Sequence, residues 1–135
     1  MTTDRDEARD QAQAQLENIR EMVTALRKAR EAGDRDAIEK AEEAISEHPL
    51  EIALRSGWVR LGYKRGPMEP AEFKILLCTG GPAVRLTGTL DEDGYPESIL
   101  LEYRDWFRPW TEYTLSTEEE ADCLEYARQF NYDPA

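Results

Sequence analysis

The chain has 135 residues, 40% of them apolar and 34% charged, with a net charge of −12. That length suits one domain, or a small domain carrying a helical arm, with enough apolar residues for one core. Charge interspersed with apolar residues excludes global disorder, and the lack of any run of about 18 apolar residues excludes a membrane-spanning helix. The polar, acidic opening MTTDRDEARDQAQAQ is not expected to act as a secretory signal, so a cytosolic protein is expected.

Charge is unevenly placed. Residues 51–90 hold six basic and three acidic residues, whereas 91–135 hold three basic and thirteen acidic ones. Such a C-terminal third repels nucleic acid and anionic membranes, because phosphate neutralisation by Lys and Arg supplies most non-specific affinity. Basic protein surfaces are the partners it favours, with neither direct nucleic-acid nor membrane contact expected. Cys78 and Cys123 each sit in an apolar pattern and read as buried free thiols. His48 stands alone beside Pro49, and no Cys/His cluster with metal-ligand spacing exists.

In chain order, a helix is expected over 6–31, where Ala12, Leu16, Ile19, Val23 and Leu26 form a narrow apolar seam. Gly33 stops it, and Asp34 caps a second helix over 35–47 with Ala37, Ile38, Ala41, Ala44 and Ile45 on one side. The short link makes an antiparallel helical hairpin, an arm over 1–49 that docks on the rest of the chain or on a second copy. After Pro49 the period changes to two. EIALRSGWVRLG (51–62) is a strand with a possible break at Ser56-Gly57, GPMEP a loop, and FKILLCT (73–79) a second strand.

Gly80-Gly81 turns the chain into PAVRLTGTL, with Val84, Leu86, Gly88 and Leu90 on one face and Arg85, Thr87 and Thr89 on the other. DEDG is a further turn, and ESILLEYRDW is a fourth strand with Ile99, Leu101 and Tyr103 inward. Thr117 opens the last helix with a capping box to Glu120. Its apolar stripe is Ala121, Cys123, Leu124, Ala127 and Phe130, and its solvent side is Glu118, Glu119, Asp122 and Glu125. The fold class is therefore α+β. A helical hairpin precedes a sheet domain over 50–135, a three- to four-stranded antiparallel meander under a C-terminal helix.

Catalytic chemistry is sparse. The single histidine is poorly set to activate a nucleophile, and TGGP leads into proline and a strand rather than a helix N-terminus. Asp91, Glu92 and Asp93 suit a hard cation but lack calcium-loop spacing, and nothing ties Lys74 to Asp91 or Asp105 as a nuclease would need. No cofactor and no catalytic residue are assigned.

Nine of the twelve aromatic residues fall in 95–132, within the acidic third. In EYRDWFRPWTEY (102–113), Trp106 and Trp110 flank Pro109 and either pack the sheet end or meet a partner. Phe107 falls on the opposite strand face from Trp106, so one of the pair is an exposed anchor. Base stacking is disfavoured, because the basic groove that single-strand binders use is missing. Glu118, Asp122 and Glu125, with Glu119 beside them, form a row at helical spacing that imitates a run of phosphates.

The segments RSGW (55–58), EFKILLCTGGPAVRLTGTLDEDG (72–94), LEYRDWFRPWTEY (101–113) and EYARQF (125–130) resemble a family of small, mostly uncharacterised phage, prophage and mobile-element proteins. The likeness covers somewhat over half the chain and leaves 1–50 outside it. Arg104 stands where the family pattern has glutamine, and NYDPA replaces an aromatic-glycine ending. The resemblance implies a bacterial host cell and an inhibitor of host defence, of the anti-CRISPR type, acting on a defence complex with a basic surface. The expected contact residues are Asp91, Glu92, Asp93, Asp105, Trp106, Phe107, Trp110, Glu118, Glu119, Asp122 and Glu125, with possible homodimerisation through the arm. The alternatives are a housekeeping interaction module without nucleic-acid mimicry, and a metal-dependent nuclease.

Overall fold

The computed structural model of the chain describes residues 4–58, 61–62 and 69–133. Helices α1 (Asp4–Ala32) and α2 (Arg35–Glu47) precede strands β1 (Glu51–Ser56), β2 (Pro70–Cys78), β3 (Ala83–Thr89), β4 (Leu100–Arg104) and β5 (Thr111–Tyr113), and α3 (Thr117–Ala127) closes the chain. The strands form one antiparallel meander in the order β1-β2-β3-β4-β5. The α+β class is as expected, with one strand more. The additional β5 lies inside the aromatic stretch, where Thr111 pairs with Tyr103 and Tyr113 with Leu101. Three residues carry no readable alternation, so the pairing was set by β4 rather than by local pattern.

Helix α1 buries Ala8, Ala12, Leu16, Ile19, Val23, Leu26 and Ala29 at i, i+3 and i+4 spacing. The Asp34 carboxylate accepts from the Ala37 amide at 3.3 Å, capping α2 as its sequence predicts. Alternation in the strands sends Phe73, Ile75, Leu77, Val84, Leu86, Leu101 and Tyr103 to the helix side. The hairpin docks on the rest of the chain, the first of the two expected alternatives: α1 packs on β3 and β4, and one hydrophobic cluster runs from α1 through the sheet to α3. Among the described residues no helix covers the outer face of the sheet, which forms a concavity of about 620 Å³.

Several boundaries differ from expectation. The strand expected over 51–62 with a break at Ser56-Gly57 ends there, at Ser56, which pairs with Pro70 across a register shift after Arg55; residues 59–60 of that stretch, and 66–68 of the loop, lie outside the described residues. The capping box of α3 sits one residue earlier than Thr117 and Glu120. Ser116 Oγ accepts from the Glu119 amide at 3.2 Å, and Glu119 Oε1 accepts from the Ser116 amide at 2.8 Å. Tyr126, absent from the expected apolar stripe, is fully buried, whereas Ala121 is exposed. Cys78 and Cys123 are free thiols, Cys78 half-buried and Cys123 buried, and burial pushes the Cys123 thiol up to about 12. No helix among the described residues is long and apolar enough to cross a membrane.

His48, at the C-terminal end of α2, meets the buried Tyr126 hydroxyl of α3 through Nδ1 at 2.7 Å, with the rings edge to face. Burial holds this imidazole below its ordinary pKa of 6.5. Folding therefore favours the neutral ring, and the stability tied to it is complete above pH 6.5 and declines as pH falls below that value. The urea midpoint of the wild type should drop more between pH 7.5 and 5.5 than that of His48→Gln.

Gly88 faces the core beside Phe73, and a Cβ there would lie 2.0 Å from the Ser98 carbonyl oxygen and 2.8 Å from the Phe73 ring. Backbone cannot yield as a flexible side chain does, so Gly88→Ala should cost about 3 kcal/mol or more in urea unfolding.

Candidate functional site

The contact residues expected from sequence separate into three places. The first is the acidic turn between β3 and β4. Asp91 organises it: its carboxylate accepts from the amides of Asp93 and Tyr95, each at 2.9 Å, and the Asp91 amide donates to the Tyr95 carbonyl at 2.8 Å. This Asx-type arrangement employs Asp91 in holding the turn. Glu92 and Asp93 are exposed. Among the described residues, no three His, Cys, Asp or Glu side chains are grouped to hold a metal ion.

The second place is α3, and here the expected solvent row is overturned for three of its four members. Asp122 Oδ2 accepts from Arg20 Nε at 2.9 Å, and Asp122 Oδ1 from Arg27 at 3.2 Å; Arg27 also donates to Glu125 at 2.6 Å. Glu119 is held in the capping box and lies 4.0 Å from Arg20. Arg30 extends the series to Gln129 at 3.1 Å. The pairs ascend both helices together, so α1 and α3 run in the same direction with charge clasped between them. The Asp122 side chain keeps only 14% exposure, and these carboxylates hold the Arg20 and Arg27 guanidiniums above their ordinary pKa, mainly by direct hydrogen bonding. Glu118 and Glu120 are the α3 acids that face solvent with no side-chain hydrogen bond or ion pair among the described residues.

The third place is the aromatic corner. β4 ends at Arg104, and the chain turns through Trp106 and Phe107, where the Arg108 amide donates to the Asp105 carbonyl at 3.1 Å. Because both aromatics lie in the turn, the expected strand-face alternation does not apply, and both are exposed: Trp106 by 61% and Phe107 by 97%. Phe107 adopts φ 58°, in the left-handed region. The Trp106 indole leans over Gly81 of the neighbouring hairpin, where a Cβ would lie 3.0 Å from its Nε1, and its ring centroid is 5.9 Å from that of Phe107. Trp110 parts from them. It lies half-buried with the Arg85 and Arg104 guanidinium carbons 4.0 and 4.5 Å from its ring centroid.

Expected residues are thus brought together only in part. Trp106 and Phe107 form one exposed pair; the Asp91 turn lies at the opposite end of β3, and Asp122 and Glu125 belong to the clasp between α1 and α3. Arg85 and Arg104 were not among the expected contact residues, although Arg85 was placed on the outer face of its strand. The partnership of both with Trp110 crosses two strands and a turn, and no local pattern reveals it. Compared with protein-family models, with curated proteins and with solved structures, the chain matches none.

Asp122 anchors two arginines from a nearly buried position, so Asp122→Asn should lower the melting temperature by roughly 3–6 °C at low ionic strength. The deficit should shrink in 0.5 M salt, where the wild-type clasp is itself screened. Asp122→Lys should be far more damaging than an exposed Glu118→Lys.

Proposed function

We propose that the protein is a non-enzymatic binding protein, an inhibitor of the anti-defence (anti-CRISPR) type that seats its Trp106–Phe107 turn on a basic surface of a host effector complex. Phe107 carries this reading. A bulky residue in the left-handed region costs about 1–2 kcal/mol, and here its ring gains no burial in return, being 97% exposed. Strain combined with an unburied aromatic pair marks a surface shaped for contact outside the chain. Aromatic anchors ringed by charge dominate binding hot spots. Elsewhere on the chain, exposed Glu92, Asp93, Glu118 and Glu120 add to its net charge of −12 and favour a basic partner. The resemblance to mobile-element proteins supports a host defence complex as that partner.

The anchor in this reading is aromatic, with the phosphate-like row reduced to Glu118, because Asp122 and Glu125 are engaged by α1. The same engagement favours a second reading, an interaction module of a mobile element without nucleic-acid mimicry.

Phe107→Gly removes both the ring and the strain. It should raise unfolding stability by about 0.5–1 kcal/mol, once the greater freedom of glycine in the unfolded chain is set against the relief. In pull-downs of host proteins the wild type should capture a nuclease effector subunit at low salt, less at high salt, and Phe107→Gly should lose that capture. Capture indifferent to salt would move the weight to the second reading. Capture unaffected by Phe107→Gly would overturn the aromatic anchor.

A further inference from the structure

The outer sheet face carries a positive group without a counter-charge among the described residues. Arg85 on β3 lies opposite Glu102 on β4, and its Nε donates to Glu102 Oε1 at 2.9 Å; the same oxygen accepts from Thr87 at 3.3 Å. Arg104, two residues along β4, stacks on the same Trp110 ring as Arg85. It has no hydrogen-bond or ion-pair partner for its guanidinium among the described residues. Neither Asp105, its neighbour in the chain, nor Glu112, opposite Glu102 on β5, forms an ion pair with it. Two guanidiniums therefore share one indole while only Arg85 holds a carboxylate, in a chain whose net charge is −12.

We infer that the Arg85–Trp110–Arg104 cluster, next to the exposed aromatic turn, is a receptor for a single carboxylate side chain presented by a partner protein. Stacking on the indole fixes the plane of the Arg104 guanidinium and leaves its edge donors free, so little further freedom is lost on binding. A guanidinium edge matches the two oxygens of a carboxylate in a bidentate pair. Such an anion also relieves the repulsion between the two arginines, which Glu102 offsets for only one of them. Phosphates would meet the same donors, but Asp105, Glu112 and the chain's net charge oppose a polyanion, whereas one carboxylate needs only one complementary pair. The inference deepens the binding reading above and rests on it, since the carboxylate is taken to come from a protein partner. It adds an acid-accepting position that fixes register on an otherwise basic surface.

The test uses the full chain, labelled with nitrogen-15 and titrated with blocked glycyl-glutamyl-glycine, with its glutaminyl counterpart, and with a short oligothymidylate at equal ionic strength. The glutamyl peptide should shift the Trp110 indole N–H and the Arg104 Nε–H resonances. Arg104→Gln and Arg104→Lys should each bind it about tenfold more weakly, the lysine variant because it keeps the charge but loses the planar fork. No shift, or an equal shift with the glutaminyl peptide, would overturn the inference, and a stronger response to oligothymidylate would replace the carboxylate by phosphate. Phe107→Gly should retain the peptide response. A chain that captures its partner but ignores the glutamyl peptide overturns the receptor alone; one that binds the peptide but captures no partner overturns the binding reading and with it the protein source of the carboxylate.

Discussion

Helix α1 lies against β3 and β4, and its seam from Ala8 to Leu26 supplies the helix side of the hydrophobic core. Neither component can stand without the other. A helix of 29 residues with one continuous apolar stripe loses most of its stability when that stripe meets water, and the sheet face bearing Val84, Leu86, Leu101 and Tyr103 needs a covering layer. Everything else is placed by this contact. α2 folds back along α1 because only a short capped turn separates them, and α3 takes the remaining flank, where Cys123, Tyr126 and Ala127 complete the interior.

Placing α3 beside α1 also redistributes the charge. Arg20, Arg27 and Arg30 recur on one side of α1, and the docking brings Asp122, Glu125 and Gln129 opposite them. A carboxylate as enclosed as Asp122 requires such partners, since an unpaired charge there would carry an uncompensated desolvation cost. The closure of the core therefore decides which acids meet solvent. An acidic helix that looks like a surface in isolation becomes half of an inter-helix joint.

What folding leaves over is concentrated on the sheet's outer face and at the end of β4. The helices cover the inner face, and β-pairing satisfies the backbone of the inner strands, but Phe107 is held in a strained conformation with its ring in water and Arg104 is stacked without a counter-charge among the described residues. The two features are close in the chain and differ in chemistry, one apolar and one cationic. A partner meeting both would have to offer a hydrophobic pocket and an acid in fixed relation, which is a stricter demand than charge alone makes.

The sequence by itself determined the elements whose pattern is local. The spacing of Leu16, Ile19, Val23 and Leu26, the cap at Asp34, the alternation through Val84 and Leu86, and the inward Leu101 and Tyr103 all follow from side-chain period and short-range hydrogen bonding. Local rules also bring the capping box of α3 within one residue, missing only because Ser116 and Thr117 are both able caps. Only the tertiary structure decided the rest: the fifth strand, the docking of α1 on the sheet, the pairing of Asp122 with Arg20, the His48–Tyr126 contact, and the separation of Trp110 from Trp106 and Phe107. Each joins residues far apart in the chain, and a side chain's charge or ring does not state which distant group will face it. Periodicity assigns a residue to a face, whereas the packing of one face on another assigns its partner. That is why α3 could be read as a helix with an acidic side, while the direction of that side was settled by α1.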